Sequence, residues 1–244
     1  MKTKIVLLLA TLILIPNHVK ASTWEGRPKT IQMLPTAVYL PPAYDDNDNV
    51  KIFIEGQFPS SCFKVAPETI DVDAGKGLIT ISNNIFYYPE SLCITMVVPY
   101  TRIISIGTLK AGDYNIEFKS ASIAIGLGYL QIQKAKNKEA DDYLYMPTAE
   151  LDVNVEDSGK SIITLRGEFS NSCMTVDRIE IKHEQYSNVI DVLPIARIEG
   201  TNCSVVKHPF EYQKELLDIP PGRYLIHTRV LNGQSLFKIH QFKD

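Results

Sequence analysis

Side chains that could bind a metal ion are concentrated in one acidic turn. The segment Asp45–Asn49 reads D-D-N-D-N, and this density of oxygen ligands suits Ca²⁺, which takes roughly six to eight oxygens. The segment lacks the central glycine and the final glutamate of an EF-hand loop. We therefore predict a solvated turn, with Asp45, Asn47 and Asp48 as weak candidates for a metal site.

Two histidines form a second weak candidate for a metal site. His227 and His240 flank Asn232-Gly233, a dipeptide that predicts a hairpin turn. Strand alternation from Tyr224 places the His227 side chain away from the core, where the two rings would be cross-strand or diagonal neighbours. No third ligand accompanies them. We predict exposed histidines without a metal, and we expect no cofactor.

The sequence offers little support for nucleophilic catalysis. Neither G-x-S-x-G nor H-E-x-x-H occurs, and these are the motifs of common serine and zinc hydrolases. Ser204–Lys207 fits S-x-x-K, but it lies on a predicted strand, whereas acyl-transfer enzymes carry this motif in a large mixed fold. The pattern favours a non-enzymatic protein. An envelope hydrolase, with its site between the domains or in the loops, is the alternative.

The N-terminus has the pattern of a secretory signal. Lys2 and Lys4 precede the uncharged run Ile5–Ile15, and Val19–Ala21 supplies the small residues of a cleavage site. The run is too short to span a bilayer, and no later segment approaches the length of a membrane helix. We predict an exported protein of the periplasm, the cell surface or the medium, without a transmembrane segment after signal cleavage.

Removing this signal makes the chain more acidic. The mature part keeps 22 of the 25 basic residues and all 28 acidic residues, which gives a net charge of −6. A net negative charge disfavours nucleic acid as a partner, because binding to phosphates requires basic surface. We expect a protein partner, whose identity the sequence does not give.

A self-comparison shows that one unit occurs twice. Three anchors recur 110 or 111 residues later: Gly56–Cys62 as Gly167–Cys173, Cys93 through Tyr100 as Cys203 through Phe210, and Leu109–Ile116 as Ile219–Ile226. A charged segment between the copies predicts an exposed connection. We assign 1–21 to the signal peptide, 22–134 to domain 1, 135–142 to the linker and 143–244 to domain 2.

The four cysteines are expected to form disulfides, because their number is even and the chain is exported. Four cysteines allow three connectivities. The repeat selects the one in which each copy closes its own loop. We therefore predict the pairs Cys62–Cys93 and Cys173–Cys203.

Both units consist of short segments with the alternation of β-strands. In Arg178–Lys182, for example, Ile179 and Ile181 share one face. Roughly seven or eight such segments in about 100 residues predict an all-β fold made of two β-sandwiches. The repeated motif L/I-x-x-G-x-Y, which contains Tyr114 and Tyr224, resembles the tyrosine corner of immunoglobulin-like domains.

This resemblance implies two tandem immunoglobulin-like domains, each with one internal disulfide. Antibody domains place a cysteine two residues after this tyrosine, where the present chain has Ile116 and Ile226. The disulfides are therefore not the intersheet bridge of antibody domains. The spacing of G-x-F-x-x-S-C, C-x5-P-[YF] and L-x-x-G-x-Y is also similar to that of small modules in exported bacterial proteins. This likeness implies a fold but no catalytic residue or ligand.

One segment predicts an interaction surface. Ala121–Ile132 carries no charge and is apolar at both alternating parities, unlike a strand with one solvated face. The apolar positions are Ile123, Ile125, Leu127, Leu130 and Ile132. We expect domain 2 or another protein to cover this face.

Taken together, the patterns predict an exported binding or structural protein that acts through protein–protein contacts. A pilus-type periplasmic chaperone is a further alternative, since it too is built from two immunoglobulin-like domains. Its two domains are not near-identical copies with matching disulfides, which argues against it.

Overall fold

The structure is a computed structural model that describes residues 26–121, 123–136, 145–155, 159–184 and 187–243. The predicted signal peptide and most of the predicted linker lie outside these residues. Domain 1 contains strands β1 (Lys29–Gln32), β2 (Ala37–Tyr39), β3 (Tyr44–Asp45), β4 (Val50–Phe58), β5 (Phe63–Val65), β6 (Thr69–Asp73), β7 (Leu78–Ser82), β8 (Asn84–Tyr87), β9 (Val98–Gly107), β10 (Gly112–Ser120) and β11 (Ile123–Gln133).

Domain 2 contains fewer and longer strands. These are β12 (Thr148–Val155), β13 (Ser161–Phe169), β14 (Met174–His183), β15 (Val189–Ile198), β16 (His208–Leu216), β17 (Gly222–Val230) and β18 (Gln234–Phe242), with a short 3-10 turn at Leu231–Gly233. Over the described residues the protein is all-β, as predicted, and contains no helix long and apolar enough to cross a membrane.

The chain folds into two tandem immunoglobulin-like β-sandwiches with related topologies. Domain 1 has sheets β2-β4-β9 and β3-β11-β10-β7-β6, with a small extra sheet β1-β8-β5. Domain 2 has sheets β12-β13-β16 and β14-β15-β17-β18. The pair β7 and β10 is parallel, and so is the equivalent pair β15 and β17. This shared parallel pairing agrees with the sequence duplication.

The glycine of the G-x-F motif and the aromatic residue of the P-[YF] motif pack against each other in both domains. Gly56 pairs with Tyr100 across β4 and β9, and Gly167 pairs with Phe210 across β13 and β16. A Cβ atom on Gly56 would lie within 2.4 Å of the Tyr100 ring. One on Gly167 would lie 2.3 Å from the Pro147 carbonyl oxygen and 2.6 Å from the Phe210 ring. Each glycine therefore makes room for the aromatic ring of the P-[YF] motif.

Both predicted disulfides are confirmed. Cys62 bonds Cys93 and Cys173 bonds Cys203, with Cα atoms 5.3 Å apart in each pair. Each bridge closes a loop within its own domain. The cysteine counterparts in the two copies are thus structurally equivalent.

The tyrosine corner is complete in domain 1 only. The buried Tyr114 hydroxyl donates a hydrogen bond to the Lys110 carbonyl oxygen at 3.1 Å. Tyr224 is half-buried, and its ring makes edge contacts with His183 and Phe242. Among the described residues its hydroxyl has no hydrogen-bond partner. The two corners share a sequence motif but differ in what the hydroxyl does.

Candidate functional site

The two sandwiches pack directly against each other through apolar side chains. Tyr39 and Phe53 project from the outer face of the β2-β4-β9 sheet. They contact Val189, Leu225 and Phe237 from the outer face of the domain 2 sheet. Strand β15 is consequently buried on both faces from Val189 to Ala196, because one face meets the core of domain 2 and the other meets domain 1.

A buried ion cluster lies in this interface and overturns the prediction of a solvated acidic turn. The Arg229 guanidinium lies 3.2 Å from Asp45 Oδ2 and 2.8 Å from Asp48 Oδ2. All three side chains are buried. The turn is buried because domain 2 packs over it, so the Asp45 and Asp48 carboxylates face a cation of the protein itself. Burial raises the pKa of Asp48, although the attraction of Arg229 opposes this rise.

The third candidate of the turn, Asn47, is half-exposed. Among the described residues, no group of three or more His, Cys, Asp or Glu side chains is arranged to hold a metal ion.

The His227 side chain is fully buried, which corrects the prediction of an exposed histidine. Its Nδ1 atom lies 2.6 Å from Asp191 Oδ1, and its Nε2 atom lies 2.9 Å from Ser235 Oγ. The ring packs between Tyr44 of domain 1 and Phe237 of domain 2. Alternation correctly placed His227 on the outer face of its sheet, but domain 1 covers that face.

The hydrogen bonds run from Ser235 to His227 to Asp191, as in the catalytic triad of a hydrolase, but the three residues lie in a packed interface. A triad serine must reach a substrate carbonyl, and all three side chains here are buried. Buried polar groups need partners to offset the loss of hydration. The three residues satisfy one another, so the arrangement serves to join β15, β17 and β18 beneath domain 1.

His240 lies apart from His227. Tyr224 pairs with His240 and His227 pairs with Phe237 across β17 and β18. Paired residues share a face and successive residues alternate, so His227 and His240 point to opposite faces of the sheet. They cannot share a metal ion, and the predicted pairing of the two rings is wrong.

The rim of the interface carries a more exposed ion pair. The Arg223 guanidinium donates two hydrogen bonds to the Glu55 carboxylate, at 2.8 and 2.6 Å. The Tyr39 hydroxyl also donates to Glu55. These hydrogen bonds hold the pKa of Glu55 below its usual value, with that from Arg223 dominant. Burial, assisted by Glu55, raises the pKa of Tyr39 to about 12.

The predicted interaction strand corresponds to β11, and its apolar pattern has a different cause from the one expected. Ile116 pairs with Gly128 and Glu117 pairs with Gly126, which leaves Leu127 as a bulge. A bulge shifts the alternation by one residue. Ile125 pairs with Phe118 and Leu130 pairs with Tyr114, so these two residues of β11 face the same layer although one has an odd and the other an even sequence number.

Only part of the predicted face is covered. Leu130 and Ile132 are buried in the core of domain 1. Ile123, Ile125 and Leu127 are 62, 38 and 36 % exposed. Domain 2 therefore leaves these three residues uncovered, contrary to the arrangement in which the neighbouring domain protects the whole face.

The outer edge of β11 is also open along most of its length. On that side, within the part of the chain that the structure describes, β11 pairs only with β3, at Ile132 and Gln133. The edge upstream of this pairing has no partner strand among the described residues. Unpaired backbone donors and acceptors on an edge strand can pair with another chain.

This edge differs in charge from the other long edge strands that the structure describes. Strand β16 carries Glu211, Lys214 and Glu215, and β14 carries Arg178, Glu180 and Lys182. Single cations, Arg102 and Lys238, lie on β9 and β18. Charged side chains on an edge discourage pairing with a second chain. Strand β11 has no charged residue and therefore lacks this protection.

A groove of about 470 Å³ runs beside the open edge. Domain 1 lines it with apolar side chains that include Val38, Leu40, Leu127 and Tyr129, and domain 2 lines it with Glu184, Ser187 and Asn188. Both domains thus contribute to the surface, which we call the edge groove.

A second apolar surface lies on the disulfide loop of domain 1. Leu92, Ile94, Met96 and Val97 are all exposed. The backbone of Ile94 is hydrogen-bonded to Ser61, but no described strand continues through this loop. The loop offers apolar contact area without the open strand edge that β11 provides.

The fold and the interface define a tandem immunoglobulin-like β-sandwich protein. Within it, residues 52–123 are similar to the ORF11 beta-sandwich domain family, whose model matches that span. The match lies entirely in domain 1, from β4 to the first residue of β11. No curated protein and no solved structure matches the chain.

Sequence reasoning missed β15 and the interface that it forms. The run Val189–Ala196 is apolar except for Asp191, and a continuous apolar run is typical of a strand buried on both faces. That signal, with an acid inside it, could have predicted both a covered sheet and a buried polar contact.

Proposed function

We propose that this protein is a non-enzymatic binding protein of the cell envelope or its exterior, which captures an extended segment of another protein at the edge of β11. The observation that carries the proposal is a long, uncharged strand edge with exposed apolar side chains. The predicted export signal and the two disulfides support a location outside the cytoplasm.

The edge groove supplies both components of strand addition. An incoming extended segment would pair with the free backbone groups of β11, and main-chain hydrogen bonds give such complexes much of their affinity. Ile123 and Ile125 share one face of β11 and would contact alternate side chains of that segment, whereas Tyr129 lies on the opposite face. We therefore expect the bound segment to be extended and to carry apolar residues at every second position.

Site-specific photocrosslinking tests the proposal. A benzoylphenylalanine at position 125 is expected to crosslink one partner in the native envelope fraction. The same group at position 212 is the control, because Tyr212 is similarly exposed, at 37 % against 38 % for Ile125, but lies on the charged edge strand β16. The crosslink from position 125 should disappear when Leu127→Lys introduces a charge into the groove, provided that the unfolding midpoint of this variant is unchanged.

Two results would contradict the proposal. Equal crosslinking from positions 125 and 212 would indicate non-specific contact. A crosslink from position 125 that survives Leu127→Lys but is lost in Met96→Lys would assign docking to the disulfide loop instead.

A further inference from the structure

A second cavity, of about 300 Å³, lies between the domains at the opposite end of β11 from Ile123. We call it the seam cavity. Apolar side chains form its floor: Tyr145, Leu193 and Ile195, with Ala43 beside them. Such a surface can bury the body of an apolar ligand, because small-molecule sites are mostly apolar with a few placed polar groups.

The rim of the seam cavity has an excess of positive charge. Its acids already have cationic partners: Asp45 contacts Arg229 at 3.2 Å, and Glu180 accepts a hydrogen bond from Arg178 at 2.8 Å. Lys134, Lys136 and Lys182 also line the cavity. Within the described residues, the ammonium groups of Lys134 and Lys182 make no hydrogen bond or ion pair.

Lys134 and Lys182 come from different domains. Lys134 follows β11 in domain 1, whereas Lys182 lies on β14 in domain 2. Two like charges over one apolar floor repel each other, and an anion between them would relieve this repulsion. The formal net charge of the chain is −3, so the positive charge at this cavity is opposite in sign to the charge of the whole molecule.

We propose that the seam cavity binds a small organic anion, with an apolar body on the floor and one carboxylate, sulfonate or phosphate group between Lys134 and Lys182. The cavity volume lies at the lower end of the range for small-molecule sites, which favours a body of one or two rings. The proposal is independent of strand capture at the edge groove, since none of the cavity residues belongs to the exposed half of β11.

Isothermal titration calorimetry with naphthalene-2-sulfonate tests this inference. The wild-type protein is expected to bind one equivalent. It should bind 2-naphthalenemethanol, which has the same ring system without the charge, at least about tenfold more weakly. The double variant Lys134→Gln/Lys182→Gln is expected to bind the sulfonate more weakly than the wild type does, by a similar factor.

Matched variants locate the site. Lys134→Arg/Lys182→Arg keeps both charges and should retain sulfonate binding within a few fold. Lys214→Gln removes an exposed lysine from the distant strand β16 and should leave binding unchanged. Unfolding midpoints of all variants are measured in parallel, and the arginine variant separates loss of charge from loss of structure.

Several outcomes would overturn the inference. They are no binding of the sulfonate by the wild type, equal affinity for the alcohol, or unchanged affinity in the double glutamine variant. Loss of sulfonate binding in Leu127→Lys or Met96→Lys, with the lysine pair intact, would place the ligand on one of the other apolar surfaces and would also refute the assignment.

Discussion

Replacing Arg229 by methionine is expected to destabilise the protein strongly, because it leaves two buried carboxylates without their cation. Asp45, Asp48 and Arg229 are 6, 1 and 5 % exposed, so water cannot take over the role of the guanidinium. Removing one partner of a buried ion pair costs about 3–5 kcal/mol. That is a large part of a typical free energy of unfolding of about 5–15 kcal/mol. Methionine preserves much of the side-chain length, so lost packing adds little.

Urea unfolding at neutral pH, followed by circular dichroism, measures the effect. Arg223→Met is the matched control, since it also removes an interdomain arginine. The Arg223 side chain is 50 % exposed, and exposed ion pairs contribute only about 0–1 kcal/mol. We therefore expect Arg229→Met to cost at least about 2 kcal/mol more than the control. Equal losses in the two variants would refute the argument from burial.

The pH dependence of Arg229→Met provides an internal check. Burial already raises the pKa of Asp48 above 3.8 in the folded protein, and loss of the arginine removes the attraction that opposes this rise. A carboxyl group whose pKa is raised by folding binds its proton more tightly in the folded protein. Its ionisation therefore lowers the free energy of unfolding at a pH above the folded pKa, and this loss disappears at a pH below the pKa of the unfolded chain. The deficit of the variant relative to wild type should therefore shrink as the pH falls from about 7 to about 4. A deficit that grows over this range would contradict the assignment.

Two further predictions concern hydroxyl groups. Tyr114→Phe is expected to lower the free energy of unfolding by about 1–3 kcal/mol, because it leaves the Lys110 carbonyl oxygen without its donor. Tyr224→Phe should change it by less than about 0.5 kcal/mol, and equal losses in urea unfolding would contradict this difference. Ser235 should resist labelling of the folded protein by a fluorophosphonate, because its side chain is buried and bonded to His227. Mass spectrometry showing a labelled Ser235 would indicate a hydrolase and refute the non-enzymatic proposal.

The parts of the fold that the sequence predicted are those specified within one repeat. The disulfides follow from the register of the two copies, which fixes Cys62 with Cys93. The motif around Gly56 follows from local packing, because its neighbour Tyr100 lies in the same domain. Such features depend on residues that recur together, and the duplication makes them visible in a single sequence.

The parts that were missed depend on contacts between the two copies. Alternation along β17 correctly placed His227 on the outer face of its sheet, but it cannot say that another domain covers that face. The prediction of a solvated acidic turn is wrong for the same reason, because Asp48 pairs with Arg229, which lies about 180 residues later in the sequence. In β11, the prediction of two apolar faces is wrong because of the bulge at Leu127. A bulge moves the inward-facing positions from odd to even residue numbers, and this gives the same sequence pattern as a strand that is apolar on both faces.

The contact between the domains joins two different surfaces, and the two copies of the repeat do not present these surfaces equally. Domain 1 presents the back of its β2-β4-β9 sheet, whereas domain 2 presents the sheet that contains β17. Such a head-to-tail contact could in principle recur, with each unit seated on the next as in a solenoid. The equivalent positions on domain 1 have diverged, however: Leu225 and His227 correspond to Asn115 and Glu117 in the repeat register. This face of domain 1 therefore carries polar side chains in place of Leu225 and His227, and it does not offer a further unit the surface that domain 2 offers to domain 1.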